Sequence, residues 1–513
     1  MRDNFLPCRK CLIPLAALAV IPLPLSRAQQ LPPSGDTPAR IARIESGLLP
    51  SVVIEGQPAP AMKLADRMQY YHVPGVSIAF FEHGRLAWTR VYGMADVQTG
   101  RPVTPETLFQ AGSISKPIAA LGALALVEKG KLKLDQNVND ELITWKLPEN
   151  EFTKDQKVTL RRLLSHSAGT NVHGFSGYES TQPIPSTVQI LSGTRPALSP
   201  PVQVTSVPGS VYSYSGGGIM VMQMMMMDAT GKSFPALMHD LVLGPVGMPH
   251  STYEQPLPPG LRDGAAHGYK ANGEPVPGGF HVIPEMAAGG LWTTPSDLAL
   301  AAIEVQNEYA GSPHKVLSQS MAHEMLSRQK DNWGLGFEIE KPGATPRFDH
   351  FGVNVGFVSV LQAYRDTNQG IVIMTNGQQG EKLITEILRS VAREYAWPDF
   401  QPARHTLVKL SPEALNHLEG TYAESGPDNH DNDKLTVTVT DGHPYLAGSY
   451  SVGSTYHFTL SEPVELLPET QQQYFTLLTG DTSFRFEKNE KGIVDRCIVI
   501  SGIKEREAKK IVP

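Results

Sequence analysis

Apolar and polar residues alternate along VPGVSIAFFEHGRLAWTRVYG on both sides of Glu82-His83-Gly84, a pattern that predicts a β-hairpin turning at Gly84. The period then changes. From Ser113 to Lys129 the positions Ile118, Leu121, Leu124, Ala125 and Val127 predict a buried helix that Gly130 stops as a C′ glycine. Pro117 falls early in it, where a missing N–H costs little, so the helix begins at or just before Ser113 and places that serine at the positive end of its dipole. TTPSDLALAAIE repeats the logic, with Thr294 as N-cap, Pro295 at the first position and Asp297 at the third. GGGIMVMQMMMMDATG admits a Met-rich binding surface or a soft-metal site, but a four-Met run ending at Gly231 reads better as a core helix with adaptable side chains. Elsewhere between residues 150 and 290, Pro and Gly are frequent and periodicity is weak.

At PDFQPARHTLVKLSP the pattern breaks. Beyond it, LTVTVTDGHPYLAG is strict period-two alternation into an Asp-Gly turn, and further strands follow, which predicts a small all-β domain, barrel or sandwich. The expected organisation is an N-terminal segment 1–28, a loosely ordered lead-in 29–60, a main domain 61–398, a linker 399–411 and a C-terminal β-domain 412–513. A chain of 513 residues is longer than one core usually supports, which agrees with this division.

Composition narrows the class. Hydrophobic residues make up 41% and charged residues 19%, with a net charge of −7 spread along the chain, so no basic face attracts nucleic acid. Arg2, Arg9 and Lys10 precede the apolar run CLIPLAALAVIPLPL, and Ser26-Arg27-Ala28 offers a cleavage site, so residues 1–28 read as an export signal and the protein is expected to be secreted or periplasmic. That run holds fifteen residues with three prolines, short of the roughly 20 that span a bilayer, and no stable membrane span is expected after its removal. Cys8-Arg9-Lys10-Cys11 lies inside the signal, leaving Cys497 and no intrachain disulfide. DNHDND at 428–433 has the composition of a calcium loop without its spaced ligands, and reads as a solvated hairpin loop. No H-x-x-x-H spacing occurs, so neither a metal nor a cofactor is expected.

Ser113 and Lys116 are three residues apart on one helix face, which brings Oγ and Nζ within hydrogen-bonding reach. The spacing recurs at Ser312 and Lys315, Ser327 and Lys330, and Ser501 and Lys504, but in charged surroundings, whereas Ser113 opens an apolar helix. A serine hydroxyl is a poor nucleophile without a neighbouring base, and a lysine is a base only when its neutral form is populated. Tyr214 in PGSVYSYSGGG and His350 in FDHFGVNVGF are candidates for a second proton-handling group.

LFQAGSISKPIAALGALALVEKGKLKLDQNV, VTLRRLLSHSAGT, PGSVYSYSGGG, AAGGLWTTPSDLA and HFGVNVGF, in this order, resemble the class C β-lactamase and DD-peptidase-like serine hydrolases over about residues 61 to 395. The C-terminal part resembles, more loosely, the lipocalin-like β-domain appended to such enzymes. The resemblance implies an α/β (α+β) β-lactamase/transpeptidase-like fold, with a central antiparallel sheet and a helical domain, plus a small C-terminal all-β barrel. It implies an acylated serine at Ser113, its paired lysine at Lys116, a proton-shuttling tyrosine at Tyr214, and a third motif at His350, Phe351 and Gly352 on a strand along the cleft. It further implies an oxyanion hole from the N–H groups of Ser113 and Val353, substrate contacts at Gly216, Gly352 and Asn354, a scaffold turn at Ser165, His166 and Ser167, and a cleft wall shaped by Trp292 and Gly289-Gly290.

Two positions depart from the family pattern. Gly216 stands where the Tyr-x-Asn motif has its asparagine, and His350 where Lys-Thr-Gly has its lysine, which weakens recognition of an amide and of a carboxylate. The expected activity is that of an exported serine hydrolase working through an acyl-enzyme on small-molecule esters or amides, an esterase or D-amino-acid peptidase/amidase ahead of a genuine β-lactamase. The alternatives of other classes are a catalytically silent penicillin-binding-like sensor, and a protein whose C-terminal β-domain binds an apolar ligand or cell-wall material.

Overall fold

The computed structural model describes residues 36–339, 345–410, 415, 417–423, 433–452, 456–480, 482–501 and 504–512. The export signal, Cys8 and Cys11 lie outside them. A seven-stranded antiparallel sheet organises the main domain: β1 (Gly75–Glu82), β2 (Arg85–Asp96), β3 (Arg101–Pro102), β4 (Glu338–Ile339), β5 (Arg347–Asn354), β6 (Phe357–Tyr364) and β7 (Gly370–Thr375), in the order β3-β2-β1-β7-β6-β5-β4. The β1–β2 hairpin turns on His83 and Gly84, both at positive φ (54° and 72°), the two-residue geometry that matches strand twist. Chain start and chain end of the domain meet at the β1–β7 pair, where Val76 faces Thr375 and Phe81 faces Gly370.

Both faces of this sheet are covered. Val76, Ile78 and Phe80 of β1, with Ile371 and Ile373 of β7, point to one core, while Ala79, Phe81, Val372 and Met374 point to the other. Alternate residues of an extended strand face opposite ways, so an almost continuous apolar run marks a strand between two layers. The first layer contains α1 (Thr37–Ser46) and α5 (Gly380–Glu394), and the second contains α2 (Ser115–Glu128), α3 (Gly216–Thr230) and α4 (Pro295–Tyr309).

The Met-rich α3 is core, with Met220, Met222, Met224, Met225 and Met226 buried and Gly231 closing it in the left-handed conformation. In α4, Thr294 Oγ1 accepts the Asp297 N–H at 3.2 Å with Pro295 in the first turn. Near its end Glu308 is buried and accepts the Val316 and Leu317 N–H groups at 3.0 and 2.7 Å, while burial, aided by Glu304, pushes its carboxyl up to about 8. The folded chain therefore holds a proton that the unfolded chain releases near pH 4.5, so this group's contribution to stability falls as pH rises from there to about 8. Glu308→Gln keeps an acceptor without the charge and is expected to raise Tm by about 2 °C or more at pH 8.5. At pH 5 it should change Tm little, and an equal shift at both pH values in differential scanning fluorimetry would contradict this account.

Two boundaries differ from the sequence reading. The lead-in is ordered from Thr37, because Ile41 and Ile44 of α1 bury against α5 and Arg43 Nε donates to Glu394 Oε2 at 2.9 Å. The linker is tied back as well: Ala403–His405 pairs in parallel with Val52–Ile54, and His405 stacks on Phe475 (ring centroids 4.1 Å apart) and meets Glu469 Oε1 at 2.9 Å. These contacts join the main domain to the C-terminal one.

The C-terminal domain is a barrel. Its strands form one antiparallel sheet with Tyr456–Glu465 at one edge and Leu467–Pro468 at the other, and only Leu466 separates these two segments, so one bent strand serves both edges. Tyr422, Tyr450, Tyr474, Phe484, Phe486 and Cys497 pack together in one apolar core of this domain. Cys497 is a free, buried thiol. Residues 428–432 of the DNHDND loop lie outside the described residues, while Asp433 is buried beside Arg506 Nη1 at 3.5 Å. Among the described residues no helix is long and apolar enough to cross a membrane, and no cluster of His, Cys, Asp or Glu could hold a metal ion.

Candidate active site

Ser113 lies in a 3-10 turn, Gly112–Ile114, that runs directly into α2, one step outside the α-helix the sequence pattern predicts. The turn is pinned from three sides. Ser115 Oγ donates to Gly112 O at 2.6 Å and accepts from Leu291 N at 3.0 Å, while the Tyr253 hydroxyl donates to Ser115 O at 2.7 Å. Gly112 has φ +54°, and a Cβ there would lie 2.5 Å from Val353 N, so the turn seats directly on strand β5. Lys116 is buried, and its Nζ donates to Ser113 Oγ at 2.8 Å and to Ala288 O at 2.7 Å. Two fixed acceptors hold a long side chain in one geometry.

Tyr214 comes from the loop before α3. Ser215 caps that helix by accepting from Gly218 N at 2.9 Å, and it anchors the loop by donating to Asn171 O at 2.5 Å. His166 holds both neighbours of the tyrosine, its carbonyl accepting from Ser213 N at 2.7 Å and its Nδ1 from Ser215 N at 3.2 Å. Its ring lies 4.3 Å from the Tyr214 ring. Burial, then the charge of Lys116, holds the His166 pKa well below 6.5, so the ring is neutral with Nδ1 as acceptor. Lys116 Nζ stands 4.9 Å from the Tyr214 ring centre, which completes a compact Ser113, Lys116, Tyr214 group.

His350 reaches the group from β5. It is 4% exposed, and its Nδ1–H donates to its neighbour's carbonyl, Phe351 O, at 2.7 Å. Burial, reinforced by Lys116, pushes its pKa down to about 3, so the imidazole is neutral at physiological pH and presents Nε2 as a buried acceptor with no partner. Val353 is 45% exposed at the cleft, and Asn354 Nδ2 donates to Gln110 Oε1 at 2.9 Å and to Gly289 O at 3.0 Å, tying β5 to the strand that precedes the serine. Together these residues line a cleft of about 650 Å³, with Phe175, Tyr212 and Trp333 as an aromatic rim and Glu338 at one side.

Comparison with known proteins adds the decisive observation: residues 62–393 match the beta-lactamase family model. The chain belongs to the beta-lactamase family. It is similar to penicillin-binding protein 4 of Amycolatopsis lactamdurans, 25% identical, with 69% of this chain and 94% of that protein covered. It is also similar to esterase EstB of Burkholderia gladioli, 27% identical over 51% of this chain and 71% of that protein. The octameric penicillin-binding protein homologue from Pyrococcus abyssi shares the fold at a TM-score of 0.58 and 21% identity, covering 87% of this chain and 98% of that chain. This beta-lactamase family member is thus an enzyme of the serine hydrolase type.

Of the positions the resemblance singles out, the family cleft gathers Ser113, Lys116, Tyr214, His350, Phe351, Val353, Asn354 and Gly289. Gly216 and Gly352 are each packed closely against neighbouring segments. A Cβ at Gly216 would meet Phe175 Cε2 at 3.0 Å and His173 O at 3.2 Å, so the position of the family's asparagine is taken by the loop that supplies Phe175. A Cβ at Gly352 would stand 2.0 Å from Ala111 O, so this glycine permits contact between backbones. Trp292 is fully buried against Phe280 and Phe357 in the core, away from the cleft wall expected of it. The competing lysines are engaged elsewhere, Lys330 Nζ with Ser210 O at 2.7 Å and Lys315 Nζ with Val246 O at 3.4 Å. His173, Phe175, Tyr212 and Trp333 carried no recognisable sequence signal, because they sit in aperiodic loops.

Proposed function

We propose that the protein is an esterase-type serine hydrolase in which Ser113 Oγ attacks the carbonyl of a small ester, with Lys116 and Tyr214 exchanging the proton. The 2.8 Å contact between Lys116 Nζ and Ser113 Oγ carries this reading, because it holds an amine within proton-transfer distance of the hydroxyl before substrate arrives. Attack forms the Oγ–C bond and passes the Oγ proton to this pair, and the N–H groups of Ser113 and Val353 stabilise the oxyanion. Collapse expels the alcohol, which takes that proton. Water, deprotonated by the same pair, then attacks the acyl-enzyme, and the acid leaves as Ser113 recovers its proton.

The lining favours uncharged or cationic substrates over carboxylates. Among the described lining residues Lys116 is the one Lys or Arg, and it is already engaged; His350 is neutral, and Glu338 is acidic. A penicillin or a D-alanyl terminus carries a carboxylate that this lining does not pair. The similarity to an esterase supports the same ranking. The apolar run CLIPLAALAVIPLPL, preceded by Arg2, Arg9 and Lys10, supports a site of action outside the cytoplasm.

A short-chain p-nitrophenyl ester, a chromogenic cephalosporin and a D-alanyl anilide assayed side by side test the reading, with the ester expected to show the highest kcat/KM. His350→Lys introduces a cation and is expected to raise the cephalosporin-to-ester ratio about tenfold, the effect of roughly 1.4 kcal/mol of added pairing. An unchanged ratio would remove His350 from substrate recognition.

A further inference from the structure

The loop from Asn171 to Phe175 is docked on the first turn of α3 through three successive carbonyls. Asn171 O accepts from Ser215 Oγ at 2.5 Å, Val172 O from Gly217 N at 3.0 Å and His173 O from Gly216 N at 2.9 Å. Both ends of the segment are tied as well, Asn171 N donating to Gln203 O at 3.0 Å and His281 Nδ1 meeting Ser176 O at 2.8 Å. Within it Val172 has φ +60°, a left-handed conformation that a β-branched residue adopts only where its surroundings impose it. Strained backbone of this kind clusters at binding sites, because a segment held so firmly presents its neighbours in one geometry.

What this segment presents is Phe175. Its ring is partly exposed, lines the cleft with Ser113 and Tyr214, and lies over Gly216, where a Cβ would come within 3.0 Å of Cε2 and 3.4 Å of Cδ2. Gly216 is helical and has no positive φ, so the room left by its missing side chain goes to that ring and to the His173 carbonyl. An aromatic side chain braced against a helix end keeps few rotamers, and its exposed part meets a ligand at low entropic cost.

We propose that Phe175 is a specificity-determining residue, the wall against which an aromatic group of the substrate packs when the ester carbonyl lies at Ser113. The proposal rests on the esterase reading above and narrows its substrates to esters with an aromatic ring in the acyl or the alcohol part. A ring suits this wall better than an alkyl chain, because offset and edge-to-face ring pairs are stabilised beyond the area they bury. It is also uncharged, in keeping with a lining whose one described Lys or Arg is engaged with Ser113 and Ala288.

The test is kcat/KM, followed by pH-stat, for two series built on ethyl acetate. Ethyl phenylacetate and ethyl cyclohexylacetate vary the acyl part, and benzyl acetate and cyclohexylmethyl acetate vary the alcohol part. In one of the series the wild-type enzyme is expected to favour the phenyl ester about tenfold over ethyl acetate and about threefold over its cyclohexyl counterpart, and that series identifies the part Phe175 holds. Phe175→Ala is expected to lower the phenyl-to-ethyl-acetate ratio about fivefold or more. Phe175→Leu, which keeps apolar volume without a ring, should abolish the preference for phenyl over cyclohexyl. Gly216→Ala keeps the ring but displaces it, and should lower the phenyl-to-ethyl-acetate ratio about threefold. Should Phe175→Ala fail to fold, Phe175→Leu and Gly216→Ala carry the test. No ring preference in either series overturns the proposal, as do ratios unchanged in the variants, which would place the aromatic contact at Tyr212 and Trp333 instead. Turnover of ethyl acetate separately reports the esterase reading: its absence sinks that reading, whereas turnover without ring preference sinks the Phe175 wall alone.

Discussion

Ser113→Ala is expected to lower kcat on a short-chain ester by roughly 10⁴- to 10⁶-fold, the scale seen when a nucleophile is removed from a unit of residues acting together. The fold should survive. Ser113 is only partly buried, and Lys116 Nζ keeps its 2.7 Å bond to Ala288 O, so no cation is left without a partner. Lys116→Ala should reach a similar floor, and the double variant should be scarcely worse than either single one, because a nucleophile without its base and a base without its nucleophile fail at the same step. Intact-mass spectrometry of enzyme mixed with excess ester should show an acyl adduct in the wild type and none in Ser113→Ala. Retained turnover by that variant at more than a few per cent would end the acyl-enzyme reading.

Gly352→Ala carries the second large effect, with an expected loss of about 100-fold or more in kcat and about 2–4 kcal/mol in stability, the range for a backbone clash that cannot relax. The new Cβ would lie 2.0 Å from Ala111 O and 2.5 Å from Ser359 Oγ. Neither can move freely: Ser359 Oγ already donates to Ala111 O at 2.8 Å, and the Ala111 N–H is bonded to Leu291 O at 2.9 Å. Relief requires β5 to withdraw from the turn that carries Ser113, which separates the Val353 N–H from the Ser113 N–H. Loss of one such donor typically costs about 100- to 1000-fold in rate. Normal activity with normal Tm in this variant would show that the contact between turn and strand is not needed.

Much of the fold was legible locally. The turn at His83-Gly84, the stops at Gly130 and Gly231 and the cap at Thr294 each depend on residues within one or two turns of the chain, so their signals survive without any knowledge of packing. The Met run read as core for the same reason, since an uninterrupted apolar helix has no solvent face to offer. The lead-in was misread because α1 shows only two buried anchors, Ile41 and Ile44, and its partner α5 begins more than 300 residues later. The motifs mark Gly216 and Gly352 in the sequence, but what each backbone touches is set by distant residues, His173 and Phe175 for the one and Ala111 for the other.

The residue types of the candidate site, and the pairing of Ser113 with Lys116, were determined by sequence alone, because an i, i+3 pair at the start of an apolar helix is brought together by helix geometry itself. Tertiary structure decided the charges. His350 is neutral because it is buried beside Lys116, more than 200 residues away, and its one ring donor is spent on Phe351 O. Glu285 is raised to about 7 because folding buries its carboxyl with no cation among the described residues beside it to offset the cost. Protonation and pairing are properties of an environment assembled from distant segments, and that environment exists only once the chain has folded.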